Sequence, residues 1–277
     1  MFEVKVVPMG WPAVGEVGEV VVVGAAVTSG ASGEAHAVRL REARNVLGRA
    51  TRASAGRRAE VSEVSEAGER LVPVPAPLSA VLPGGGLRRG STIAVGSSTS
   101  LLFALLSEAS AGGTWCALVG FPEAGMVAAA EAGLALSRVA LVPRPGADLV
   151  AVTAALLDGL DLVAVAGVDR LGAGDRQRLA ARARMRGAVL LPVGPWPGAD
   201  LRVEAVSARW RGVAGRGAGR LSARRARVRV SGRGAGHRER AVTVQLPGPG
   251  GAVAGPDGLS TRERMDVVTG VPVRAAG

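Results

Sequence analysis

Short apolar runs recur along the middle of the chain, at residues 114–119, 139–142, 162–166 and 188–193. Each is too short for a helix and stays apolar at successive positions, the pattern of a strand buried on both faces. The segments between them, 125–136, 148–160 and 174–186, have helical length: the first is Ala-rich, the second opens on Asp148, the third is basic. Strands and helices in alternation predict a parallel sheet with helices on both faces, an α/β fold. One strand–helix unit precedes these. LPGGGLRRGSTIAVGSSTSLLFALL, residues 82–106, reads as a Gly-rich turn, a strand at 91–95, a tight loop at 96–100 and an apolar helix.

After Pro197 the pattern changes. Residues 201–210, 220–230 and 238–246 read as antiparallel strands joined by Gly-rich turns. Arg225, Arg227 and Arg229 alternate with Ala226, Val228 and Val230, which sets three guanidinium groups on one face and apolar groups on the other. The flanks are less regular. Residues 1–33 form an N-terminal extension with a Val-rich patch at 20–27, read as a lone strand or as disordered chain. Residues 34–70 hold an amphipathic helix, with Val38, Leu40, Val46 and Leu47 as its stripe, and then a linker from 51. The folded domain spans 71–246, and 247–277 is expected to be a flexible tail.

Composition adds constraints. Aromatic residues make up 3% of the 277 positions and tyrosine is absent, so the core is built from Ala, Val and Leu. No apolar run reaches the roughly 18–20 residues a membrane span needs, and Cys116 is the single cysteine. A cytoplasmic protein is expected, with no membrane partner. The net charge of +11 is carried almost wholly by arginine, since Lys5 is the only lysine. Ala, Gly, Arg and Val are the residues of a GC-rich genome, yet the charge still favours polyanionic partners.

The strand–loop–helix unit has the layout of a phosphate-binding loop. Such loops follow GxxxxGK[ST]: backbone N–H groups cradle phosphates, the Lys reaches the terminal phosphates and the hydroxyl holds Mg²⁺. Here, counting from Gly96, Leu102 and Phe103 fall at the Lys and Ser/Thr positions. Gly96, Ser97, Ser98, Thr99 and Ser100 remain as backbone and hydroxyl donors at a helix N-terminus. Arg88 and Arg89, in the turn before, are the charges nearest in sequence. The loop is read as a strand-to-helix connection in preference to a residual ATP site, and no cofactor or metal is expected. His36 and His237 have no Cys or carboxylate at ligand spacing, and Cys116 sits among apolar neighbours as a core residue.

GGGLRRGSTIAVGSSTSLLFALLSEASAGGTWCALVG resembles the stretch of RecA-family recombinases from the Gly-Gly-Leu turn through the phosphate loop to the next strand. The resemblance covers roughly residues 78–246 and implies a RecA-like, mostly parallel sheet with antiparallel C-terminal strands. Within that family the chain is most similar to the RecA-like accessory protein of the actinobacterial mutagenesis cassette (ImuA type). LVPVPAPLSAVLPGGGLRRGS, the shortened GSSTS loop, EAGMVAAAEAGLAL and RGAVLLPVGPWPGAD carry that closer match. Where the family ends an apolar strand on a Mg²⁺-holding Asp, DLVAVAG places Ala166 or Gly167, and Asp169 lies further on. Glu123, in GFPEAG, stands near the family's water-orienting Glu but follows a proline.

The resemblance therefore implies a protein without ATPase activity. Its expected role is as an accessory in SOS-induced translesion synthesis and mutagenesis. It would dock a Y-family polymerase homologue (ImuB type) and, indirectly, an error-prone replicative-type polymerase. Twelve arginines and two acids lie between Arg202 and Arg240. Arg220, Arg224, Arg225, Arg227 and Arg229 are the candidates for DNA or partner contact. A DNA-binding regulator and a SulA-like inhibitor of cell division remain as alternatives.

Overall fold

The computed structural model turns each of the central apolar runs into a strand. It describes residues 2–7, 20–25, 71–213, 219–233 and 238–256, with side chains at 71–212, 221–233 and 238–256. In chain order the elements are β1 (Phe2–Val7), β2 (Val20–Ala25), β3 (Leu71–Pro73), α1 (Ala76–Ser79), β4 (Gly86–Arg88), β5 (Ile93–Val95) and α2 (Thr99–Ala111). Then come β6 (Cys116–Val119), α3 (Met126–Glu131), β7 (Val139–Val142), α4 (Leu149–Gly159), β8 (Leu162–Val165), α5 (Ala173–Arg186) and β9 (Val189–Pro192). Three longer strands close the fold: β10 (Leu201–Val213), β11 (Gly219–Gly232) and β12 (Arg240–Gln245). The expected helix and linker at 34–70 lie outside the described residues.

The strands join side by side. One sheet runs β1-β2-β7-β6-β8-β9 and another β12-β11-β10-β5. Parallel bridges Thr92↔Leu190 and Val95↔Val193 link them between β9 and β5. From β2 to β10 each pairing between neighbours is parallel; β1 at one end and β11 and β12 at the other pair antiparallel with their neighbours. The fold is thus α/β, with a mostly parallel sheet and antiparallel C-terminal strands, as the pattern predicts. The Val-rich patch is no isolated strand, because β2 pairs with β1 and with β7.

Strand alternation divides the core into two layers. Cys116, Leu118, Leu162, Ala164, Val189, Leu191, Ile93 and Val95 pack on α2, the β3–β4 hairpin and the C-terminal strands. Ala117, Val119, Val163, Val165 and Leu190 face the other way, toward α4 and α5. The helices differ accordingly. α2 is apolar nearly all round and buries Leu101 through Ser107, which suits a helix enclosed on most sides. α5 is polar and buries only Leu179 and Ala183.

Two boundaries differ from the sequence pattern. The helix expected at 125–136 stops at Glu131, because Gly133 turns the chain at φ +100°. Ser110 Oγ then accepts the N–H of Ala135 at 3.1 Å, and Leu134 and Leu136 enter the core. Of the stretch 247–277 expected as a flexible tail, residues 247–256 fold back on β12. Gln245 pairs with Ala254, and Val253 and Ala254 are buried. Among the described residues no helix is long and apolar enough to cross a membrane.

Candidate functional site

The degenerate loop sits where β5 hands over to α2. Gly96 N–H donates to Val203 O at 2.8 Å, tying the loop to β10. Ser98 N–H donates to Gly96 O at 2.6 Å, so two of the loop's backbone donors point at the protein's own carbonyls. Ser98 is the N-cap of α2, and its Oγ accepts from Leu101 N–H at 3.4 Å. Ser97 and Thr99 are exposed, while Ser100 is half-buried. Leu102 and Phe103, which stand where a working loop places its Lys and Ser/Thr, are inside the core at 0% and 3% exposure.

The charge at this mouth comes from β11. Arg224 shares strand parity with Ala226 and Val228, and its side chain turns inward. Its guanidinium donates to Ser98 Oγ at 3.2 Å and to Leu246 O at 2.7 Å, and lies 5.8 Å from the Trp210 ring centre. Burial lowers its pKa. A cation beside the positive end of α2 is electrostatically unfavourable by itself, so these bonds hold it in place. Arg88 and Arg89, nearest in sequence, are not near the loop in space. They precede β5 and lie at its amino-terminal end, whereas the loop leaves its carboxyl end.

Ala166 follows β8, and Asp169 lies beyond it on an exposed turn. Glu123 is exposed in the β6–α3 connection. Glu204 lies beside the loop: a Cβ added at Gly96 would meet its Cα, Cβ and Cγ at 3.4 Å. Its carboxylate accepts from Arg229 and Arg202, and both bonds, Arg229 first, hold its pKa below the usual carboxylate range. Among the described residues no group of three His, Cys, Asp or Glu is placed to hold a metal ion.

The arginine face of β11 is built as the alternation predicts. Arg225 and Arg227 are exposed, and Ala226, Val228 and Val230 are buried. Arg209 of β10 stands opposite Arg225, and Ser207 opposite Arg227. Arg229 differs, because Glu204 and Glu239 neutralise it. Net positive charge on this face thus gathers at Arg209, Arg225 and Arg227. Arg220 lies near the start of β11, where only the backbone is described. Of the five arginines singled out in the sequence, the fold brings Arg225, Arg227 and Arg229 onto one face and sends Arg224 to the loop. Sequence reasoning missed that separation, although parity with Ala226 carries the signal.

Cys116 is fully buried; burial first, and the nearby Asp161 charge second, push its thiol up to about 12. At neutral pH it is a thiol and no nucleophile. His36 and His237 lie outside the described residues. A cavity of about 650 Å³ opens at the carboxyl ends of β6, β7 and β8, with Gly120, Arg144, Gly167, Arg170 and Asp175 in its wall. Open α/β sheets bind ligands at this edge.

Comparison with known proteins places the chain. Residues 80–198 match the family model of the MT3502 N-terminal domain. The matched span runs from the turn before β4 to just beyond β9, so it holds the loop and the parallel strands. Over 153 residues the chain is 37% identical to the uncharacterized protein Rv3395c of Mycobacterium tuberculosis, covering 52% of this chain and 74% of that protein. The chain therefore belongs to the family of Rv3395c, within which its central strands and loop match the MT3502 N-terminal domain.

Proposed function

We propose that the protein is a non-catalytic, RecA-like accessory factor of the ImuA type, acting in SOS-induced translesion synthesis. It docks a Y-family polymerase homologue and, through it, an error-prone replicative-type polymerase. The sequence resemblance supplies the pathway. The observation that carries the non-catalytic part is the burial of Leu102 and Phe103 at the Lys and Ser/Thr positions. Phosphoryl transfer needs positioned positive charge and a held metal ion, and Leu102 and Phe103, at the positions that provide them, supply neither. The internal bonds of Gly96 and Ser98 take up donors that a phosphate cradle needs free. A scaffold of this kind keeps the frame's surfaces and loses its turnover.

Steady-state ATP turnover tests this reading. The purified chain with Mg²⁺ is expected to hydrolyse no more ATP than the buffer blank, with Ser98→Ala indistinguishable from the parent. Turnover that disappears in Ser98→Ala contradicts the proposal.

A second reading is favoured by one observation. Arg209, Arg225 and Arg227 form an exposed row without a neutralising acid among the ion pairs of the described residues. Such a row suits sequence-independent contact with nucleic-acid phosphates, as in a DNA-binding regulator.

A further inference from the structure

A basic cavity of about 630 Å³ opens at the edge of the sheet opposite the loop. Four arginines line it: Arg88 and Arg89 before β5, Arg184 in the last turn of α5, and Arg233 just after β11. Asp200 is the acid in its wall, and that carboxylate accepts the N–H of Thr92 at 2.8 Å. Arg89 Nη1 is spent on Asp161 at 2.8 Å, but its Nε is buried without a hydrogen-bond partner among the described residues. Arg233 gives one N–H to Gly198 O. Arg88 and Arg184 are exposed.

The negative end of α5 does not cancel this charge. Gly187, at φ +64°, caps the helix, and the N–H groups of Gly187 and Ala188 bond the carbonyls of Arg184 and Ala183. Gly90, also left-handed at φ +75°, donates its N–H to Ala188 O at 3.1 Å, and a Cβ placed on it would lie 3.4 Å from the Arg184 backbone, so the turn that carries Arg88 is tied to the end of α5 that carries Arg184. Leu201 adds an apolar wall. The volume is that of a small-molecule site, and guanidinium forks match phosphate oxygens better than any other common anion-binding side chain.

We infer that this cavity binds a small organic phosphate, with the phosphate between Arg88 and Arg184 and the organic body against Leu201. The inference is independent of the proposed function, because the site shares no residue with the loop or with the β11 face. Calorimetric titration of the full chain with AMP, inorganic phosphate and adenosine tests it. AMP is expected to bind, inorganic phosphate to bind at least tenfold more weakly, and adenosine not to bind. Arg88→Gln and Arg184→Gln are each expected to weaken AMP at least tenfold, while Ser98→Ala leaves it unchanged. Both arginines are exposed, so the variants fold, which their unaltered circular dichroism verifies. Failure of AMP to bind, equal binding of adenosine or inorganic phosphate, or loss of binding in Ser98→Ala would overturn the assignment.

Discussion

A chain cut after Asp200 is expected not to fold. The cut removes β10, β11 and β12, and with them Val203, Val228, Val230, Val244 and Leu246, all at most 3% exposed in the layer that holds α2. Burying one such side chain is worth about 1.5–3 kcal/mol. Five together come to about 10 kcal/mol, as large as the whole net stability of an ordinary domain, about 5–15 kcal/mol. The cut also strips β5 of its parallel partner β10 and exposes the apolar side of α2. Far-ultraviolet circular dichroism and limited proteolysis of the 1–200 fragment check this. A cooperative urea transition in that fragment would contradict it. Removal of residues 201–277 therefore cannot map a partner surface, and substitutions on the exposed row at Arg225 and Arg227 are the usable probes.

Arg89→Ala is expected to cost about 3–5 kcal/mol, the usual penalty for breaking a buried ion pair by removing one side. Asp161 immediately precedes β8 with its side chain 1% exposed, and Arg89 Nη1 bonds it at 2.8 Å. The carboxylate's charge reaches the core, where it helps raise the Cys116 thiol. Without the guanidinium that charge stays buried and the sheet loses its anchor between β4 and β8. Replacing both residues, Arg89→Met with Asp161→Leu, is expected to recover most of the loss, since an apolar pair carries no desolvation penalty. Urea midpoints at unchanged slope measure both. A loss under 1 kcal/mol in Arg89→Ala, or no recovery in the double variant, contradicts the account.

The sheet was legible because its strands are apolar on both faces. LVAV at 162–165 and CALV at 116–119 admit no solvent-facing register, so their burial follows from their letters. The absence of side-chain charge at positions 102 and 103 was equally plain, since Leu and Phe carry none. What the pattern does not contain are contacts set by distant partners. Arg89 and Asp161 lie 72 positions apart, and nothing local marks either as buried. Gly133 ends its helix, and the chain beyond it is held by Ser110, on a different element, which accepts the N–H of Ala135. Residues 247–256 have no period, and their order comes from pairing with Gln245. Arg224 shares its charge with Arg225, but its parity turns it to the opposite face, where it meets Ser98 of the loop.

The central claim is that a recombinase frame without turnover serves as a connector. Size-exclusion chromatography of the purified chain, mixed at micromolar concentration with the Y-family polymerase homologue of its own organism after nuclease treatment, tests that claim most directly. The account predicts one complex containing both proteins. Two separate peaks, with the chain retained only by added DNA, would contradict it and leave the DNA-binding reading in its place.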